Sequence, residues 1–383
     1  MRVDFGTSAD PTSKQVSNAI FEPLFQSYSL GPLELPNRLV MAPLTRMRAD
    51  ANGVMGEINA DYYAQRASAG LIIAEGTYPH GSGKSYPGQP GIETAEQVAG
   101  WRLVTDAVHN QGGRIFLQLM HGGRIGHERI SPDGSRPLAP SALKPEGMAR
   151  IEGEKVAYDE PRAMTLDQVI DAREQFAVGA ENAIEAGFDG VELHSANGYL
   201  LHQFLSDKTN LRTDQYGGSA AARCRFVVET AQIVADRIGA DRVGIRLSPD
   251  QNVNDISDDS ARELYPLLLE ELDELGLAYL HMMETPPESG WSSTEMSRAS
   301  WSGTLMVNSN FQVDWPLERA SEMISDGRAD LICYGRRFIS NPDLVARIAA
   351  GAELAEADFR TFYGGGVEGY TDYPALASDD GES

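Results

Sequence analysis

Cysteine is nearly absent from this chain. Among 383 residues only Cys224 and Cys333 occur, and no Cys-x-x-Cys. Two isolated thiols argue against a disulfide framework, an iron–sulfur cluster or a cysteine-held zinc, and they suit a cytoplasmic location. Each thiol reads as a small buried hydrophobe. Long apolar runs are missing too. No stretch approaches the roughly 18 residues a membrane helix needs. Met1 to Ser17 lacks the apolar segment of a secretory signal, so residues 1–18 read as a polar N-terminal extension. Lysine is rare, and 32 basic residues face 56 acidic ones, for a net charge of −24 and a pI near 4.6. Phosphate binding needs basic clusters, so a nucleic-acid partner is not expected. Abundant acid with little lysine fits a salt-rich cytoplasm, with compositional drift as the alternative.

What is present suits a soluble globular protein: 42% hydrophobic residues and a mean hydropathy of −0.32. Eight short apolar runs recur: Leu39–Pro43, Leu71–Ala74, Ile115–Leu119, Gly190–His194, Val243–Leu247, Ala278–Met282, Leu305–Val307 and Leu331–Tyr334. They alternate poorly, as strands covered on both faces do. Helical patterns fit Ala60–Ser68, Ala95–Asn110, Ala221–Ile238, Asp259–Leu275, Leu317–Ser325 and Asp343–Ala350. The clearest helix follows Thr165. Thr165 and Gln168 have capping-box spacing, Val169, Ala172, Phe176, Ala180 and Ala183 share one face, and Gly187 is placed to end it. No helix is evident after the sixth run. Repeated β-then-α units predict an α/β fold, a closed (β/α)8 TIM barrel over residues 19–375, followed by an acidic tail over 376–383. A doubly wound sheet is the runner-up, but no Gly-x-Gly-x-x-Gly sits at a strand–helix junction. From His121 to Met164 the chain is rich in Pro and Gly, and this excursion after strand three reads as a lid.

Polar residues gather where the strands end. Thr45 follows strand one, Gln118 lies in strand three, and strand four runs into His194-Ser195-Ala196-Asn197-Gly198-Tyr199. Arg246 lies in strand five and Gly335-Arg336 follows strand eight. Polar groups there are costly unless they find partners, and barrel strand ends converge on one mouth.

Met41-Ala42-Pro43-Leu44-Thr45-Arg46, the His194 to Tyr199 run continuing through His202-Gln203-Phe204-Leu205, Arg212 to Ser219, and Tyr334-Gly335-Arg336 carry a resemblance. From Phe21 to about Pro374 the chain resembles the Old Yellow Enzyme family of FMN-dependent ene-reductases. Thr361 to Gly366 is similar to that family's bacterial branch. The resemblance implies tightly bound FMN, NAD(P)H as reductant, and transfer of hydride through flavin N5 to an activated C=C bond in alternating, ping-pong steps. It implies that His194 and Asn197 bind the activating oxygen and that Tyr199 is the proton donor. Arg246 would stabilise the reduced ring, Gln118 bond its pyrimidine edge and Thr45 bond O4. Gly335 and Arg336 would hold the phosphate beside Ser309 and Asn310. Pro43 and Gly76 complete the implied cofactor set, and Met120 and Tyr363 the substrate pocket.

Four residues, in three places, depart from the family. Met120 stands where a tryptophan is common, which should widen the pocket. Ser309 replaces a frequent glycine, and Ala221-Ala222 replaces Glu-Asn before Arg223. Two other functions fit the sequence less well. A metal-dependent hydrolase needs convergent ligands, yet only His121, His194 and His281 lie near strand ends and no His-x-His occurs. A non-catalytic flavin binder would be expected to lose Tyr199 or the His194 and Asn197 pair. The expected partners are small molecules, namely enones, maleimides, nitroalkenes or nitrate esters, with a monomer or a homodimer both open.

Overall fold

The computed structural model describes residues 19–376, so the N-terminal extension and the tail from 377 onward lie outside the described residues. Eight parallel strands close into a barrel, each hydrogen-bonded to the next and the last to the first. They are β1 (Leu39–Met41), β2 (Leu71–Thr77), β3 (Ile115–Leu119), β4 (Gly190–Ser195), β5 (Val243–Leu247), β6 (Tyr279–Met283), β7 (Leu305–Asn308) and β8 (Leu331–Tyr334). Nearly every strand residue is buried, which explains the near-continuous apolar runs. The expected fold class is the one observed.

Outer helices are α1 (Glu57–Ala64), α2 (Ala95–Asn110), α3 (Leu166–Glu185), α4 (Ala220–Ile238), α5 (Ala261–Asp273), α6 (Ser293–Ser300), α7 (Leu317–Ser325) and α8 (Leu344–Ala350). The α3 boundaries follow the expected logic. Thr165 Oγ1 accepts from Gln168 N at 3.2 Å, Gln168 Oε1 accepts from Thr165 N at 3.0 Å, and Gly187 leaves the helix at φ +93°. Its apolar face, including Phe176 and Ala180, is fully buried against the strands. The first predicted helix differs. It begins three residues early because Asn59 folds back to accept from Gly56 N at 2.9 Å.

The barrel interior is a second core, filled by Val40, Leu71, Ile73, Phe116, Tyr279, Met306 and Leu331. Two glycines make room for its aromatics. A methyl at Gly190 would lie 2.5 Å from the Phe116 ring, and one at Gly244 would lie 2.2 Å from the Tyr279 ring. An antiparallel hairpin, Tyr28–Leu30 with Leu33–Leu35, adds Leu30 and Leu35 to this core. The lid excursion is partly ordered as strands. Met148–Ile151 pairs antiparallel with Glu154–Ala157, and Leu138–Ala139 pairs with Arg162–Ala163.

Candidate active site

Side chains from the C-terminal strand ends enclose a cavity of about 400 Å³ at the barrel mouth. Pro43 and Thr45 come from the β1 end, Gln118 from β3, His194, Asn197 and Tyr199 from the β4 end, and Arg246 from β5. Ser309 and Asn310 follow β7, Gly335 and Arg336 follow β8, and Tyr363 reaches over from the C-terminal segment. All but two of the expected site residues therefore line one space. The exceptions are Gly76 and Met120, which lie behind the wall. Met120 is buried against Ile125 and Tyr199, and a methyl on Gly76 would press on Met120 Sδ at 2.7 Å.

The β4 end is shaped by two successive left-handed residues, Asn197 (φ +56°) and Gly198 (φ +77°). Asparagine tolerates that conformation and glycine meets no penalty in it. A Cβ at position 198 would also lie 2.7 Å from Val253 O. The turn launches the buried helix Leu200–Leu205 and is stitched by side chains. Asn197 N donates to Ser248 Oγ at 2.8 Å, and Asn254 Nδ2 donates to Asn197 O at 2.8 Å. Gln203 Nε2 donates to Gly198 O at 2.7 Å. The main chain of Asn197 is thus fixed while its side-chain Oδ1 is buried without a partner. Tyr199 is buried 5.0 Å, ring to ring, from His194. Its hydroxyl lies 2.6 Å from that of Tyr86. Burial raises the Tyr199 phenol above its ordinary pKa. Burial, reinforced by nearby Arg246, holds His194 well below its ordinary pKa, so the imidazole is neutral.

Three buried polar atoms of the site lack a hydrogen-bond partner among the described residues: His194 Nδ1, Asn197 Oδ1 and Arg246 Nε. Leaving such a group unsatisfied costs about 1–3 kcal/mol. Three at one cavity mark the place of a polar guest. Arg246 is a buried cation deep in the barrel, whereas Arg336 is exposed at the rim. Its neighbour Arg337 is occupied, donating from Nε to Asp314 Oδ2 at 3.0 Å.

Sequence comparison matches residues 21–355 to the NADH:flavin oxidoreductase / NADH oxidase family. The chain belongs to that family. It is 40% identical over 379 residues to 12-oxophytodienoate reductase 7 of Oryza sativa subsp. japonica, covering 92% of this chain and 95% of the relative. It is 41% identical over 355 residues to a probable flavin mononucleotide-dependent alkene reductase of Leishmania infantum, covering 91% and 96%. Among solved structures, morphinone reductase superposes with a TM-score of 0.87 at 44% identity, covering 94% of this chain and 97% of that one. The Old Yellow Enzyme homologue from Zymomonas mobilis superposes with a TM-score of 0.88 at 38% identity, covering 92% and 99%. This flavin oxidoreductase is accordingly an enzyme of the Old Yellow Enzyme group, with FMN as its cofactor.

The residues present fit FMN. The cavity has the size of an ordinary cofactor cleft, with polar atoms in its depth and the exposed Arg336 guanidinium at its rim, both without a hydrogen-bond partner among the described residues. Other residues of this flavin oxidoreductase build the site without having been singled out by sequence. Glu75, buried at the end of β2, accepts from Arg46 N at 3.0 Å and Met47 N at 3.3 Å, fixing the loop that carries Thr45. Arg48, together with Arg46 of the Met41–Arg46 motif, then clamps the C-terminal segment. Arg46 donates to Phe362 O at 2.9 Å and Gly369 O at 2.8 Å, and Arg48 to Thr361 O at 2.9 Å. Tyr86 is a further omission; it stands in a Gly- and Pro-rich loop with no periodic signal. Together with the lid residues Met148 and Tyr158 it borders a second chamber of about 850 Å³ that shares Tyr199 and Tyr363 with the first. Among the described residues no helix is long and apolar enough to cross a membrane.

Proposed function

We propose that this flavin oxidoreductase uses NAD(P)H to reduce the activated C=C bond of α,β-unsaturated carbonyl or nitro compounds, such as enones, maleimides and nitroalkenes, in alternating half-reactions at one cavity. One observation carries the reading. A buried phenol and two buried groups with unsatisfied polar atoms, Tyr199, His194 and Asn197, project from one strand end into one cavity. Bound FMN supplies the two-electron chemistry. His194 and Asn197 take the activating oxygen of the substrate, where negative charge develops as the β-carbon is reduced. A fixed donor at such an oxygen lowers a barrier by about 3–4 kcal/mol. Burial keeps His194 neutral, so one ring nitrogen donates without adding a positive charge.

Tyr199 delivers the proton to the α-carbon. The Tyr86 hydroxyl beside it opens on the second chamber, which gives Tyr199 a route to recover its proton from water. Arg246, a buried cation in the cavity wall, would favour negative charge on a bound flavin ring, and Gln118 and Thr45 would bond polar edges of that ring. Arg336 at the rim, with Gly335, Ser309 and Asn310, takes the phosphate, the usual place in a barrel of this type. Pro43 would support the ring and Tyr363 would cover the substrate, whereas Gly76, behind the wall, acts only by leaving room for Met120.

The test is a pair of anaerobic half-reactions. NAD(P)H should bleach the flavin and the nicotinamide should leave. An enone, maleimide or nitroalkene should then restore the oxidised spectrum. Bleaching that none of these acceptors reverses would overturn the substrate assignment. A ternary complex holding nicotinamide and alkene at separate places would overturn the alternating scheme.

A further inference from the structure

One buried carboxylate beneath the cavity has no part in the scheme above. Glu192 lies on β4 two residues before His194, pointing the same way, and is fully buried inside the barrel. It does not line the cavity, yet it touches a residue that does. Gln118 Nε2 donates to Glu192 Oε1 at 2.8 Å. The other oxygen, Oε2, accepts from Tyr279 Oη–H at 3.2 Å and from His281 Nδ1 at 2.8 Å. His281 Nε2 in turn lies 3.1 Å from Asn308 Oδ1, and Asn308 lines the cavity on the far side.

We infer that Glu192 is a positioning residue for the cofactor: it fixes which atom of the Gln118 amide faces the flavin. The inference rests on the reading that Gln118 contacts the pyrimidine edge. Both carboxylate oxygens are taken, Oε1 by Gln118 Nε2 and Oε2 by Tyr279 and His281, so Gln118 turns its nitrogen to Glu192 and its oxygen away. Gln118 Oε1 accordingly lies on the Gly76 side, 3.4 Å from where a Cβ of Gly76 would stand. Gln118 lines the cavity, and an amide oxygen turned away from Glu192 would be the acceptor that the N3–H of an isoalloxazine needs, while Arg246, whose Nε lacks a partner among the described residues, would supply donors for the neighbouring ring acceptors. Tyr279 and His281 hold the carboxylate so that it serves Gln118 from Oε1.

The same donors make the consequence of a substitution specific. In Glu192→Gln the carbonyl oxygen of the new amide takes the place of Oε2, because two donors meet there. Its NH2 group then faces Gln118, and Gln118 must rotate to present its own oxygen. That rotation places an NH2 group opposite the N3–H of the ring, donor against donor. Losing the bond and stranding a donor should weaken FMN binding roughly 5- to 150-fold. Exchanging the two side chains, Gln118→Glu with Glu192→Gln, restores the pattern: residue 192 donates to residue 118, and residue 118 presents an acceptor to the ring.

The experiment measures the dissociation constant of FMN by fluorescence quenching, with a thermal melt of each apoprotein as the control for folding. The variants are Glu192→Gln, Gln118→Ala, both of these together, and the exchanged pair. Glu192→Gln should bind FMN more weakly, add little to the loss already present in Gln118→Ala, and be largely rescued in the exchanged pair. If Gln118→Ala binds FMN as the parent does, the reading of Gln118 as a flavin contact falls and the inference falls with it. If Gln118→Ala weakens binding but the Glu192→Gln loss is fully additive to it, or the exchange gives no rescue in a folded protein, the positioning role alone is overturned.

Discussion

Replacing Tyr199 by phenylalanine removes one oxygen atom from the place where the proposed chemistry needs a proton. The fold should tolerate it. The ring keeps its edge contact with Tyr86, with centroids 6.5 Å apart, and the hydrogen bond lost is the 2.6 Å one between the two hydroxyls. Tyr86 is only half-buried and opens on the second chamber, so water can replace its partner. The stability loss should be about 0.5–1.5 kcal/mol. The catalytic loss should be larger. A general acid contributes about 10²–10⁴-fold, equivalent to about 2.7–5.4 kcal/mol of barrier. The assay is anaerobic stopped-flow of each half-reaction. Flavin reduction by NAD(P)H should be nearly unchanged, and reoxidation by an enone should slow by the stated factor. Nitroalkenes should suffer less, because a nitronate can leave and take its proton from water. Burial raises the phenol above its ordinary pKa, so the proton is in place at neutral pH and the parent's reoxidation rate should be flat from about pH 6 to about pH 9. The same shift adds stability that is fully present below the ordinary phenol pKa and is lost as pH rises through the folded value. Equal slowing of both half-reactions, or no slowing of enone reduction, would refute the assignment.

Three further outcomes follow from the same geometry. His194→Ala and Asn197→Ala should each weaken the binding of a phenolate ligand by roughly 10- to 150-fold, the loss of a hydrogen bond to a charged group; unchanged affinity in a spectral titration of both variants would contradict the oxygen site. Burial lowers His121 to a pKa of about 3 and His202 to about 4. The unfolded chain therefore binds more protons below the ordinary histidine pKa, and stability should fall by about 1.4 kcal/mol per pH unit for each of them as pH drops from about 6.5; denaturant melts showing no loss between pH 6.5 and pH 5 would be inconsistent with neutral buried histidines. Acidic residues outnumber basic ones by 24, more than ion pairs such as Arg237 with Glu174 and Glu181 can absorb. Tm should rise with KCl and level off below about 1 M, where the screening length has fallen to about 3 Å; a flat or falling Tm would count against a salt-adapted surface.

The barrel was legible because each strand is covered on both faces and so reads as an uninterrupted apolar run, with the caps of α3 written at Thr165, Gln168 and Gly187. The helix after β6 was not legible. Ser293–Ser300 is short and polar, and tertiary contacts hold it: Glu284 accepts from Ser293 N at 3.0 Å and from Thr294 Oγ1 at 2.6 Å. The lid hairpin likewise depends on pairing partners that no local period announces. At the site, the motif residues from Thr45 to Arg336 were readable, and their gathering followed from barrel topology. Tyr86, Glu75 and Glu192 were not, because each acts through a contact with a residue distant in sequence. Met120, expected to widen the pocket, sits behind the wall beside Gly76, so its effect on the cavity passes through packing against Tyr199.

Occupancy of this cavity by FMN is read from the absorption spectrum of the purified protein. A flavin band is expected, with FMN and not FAD released on denaturation, in a ratio of about one per chain as one cavity requires. A colourless protein that fails to take up added FMN, or one that releases FAD, would contradict it.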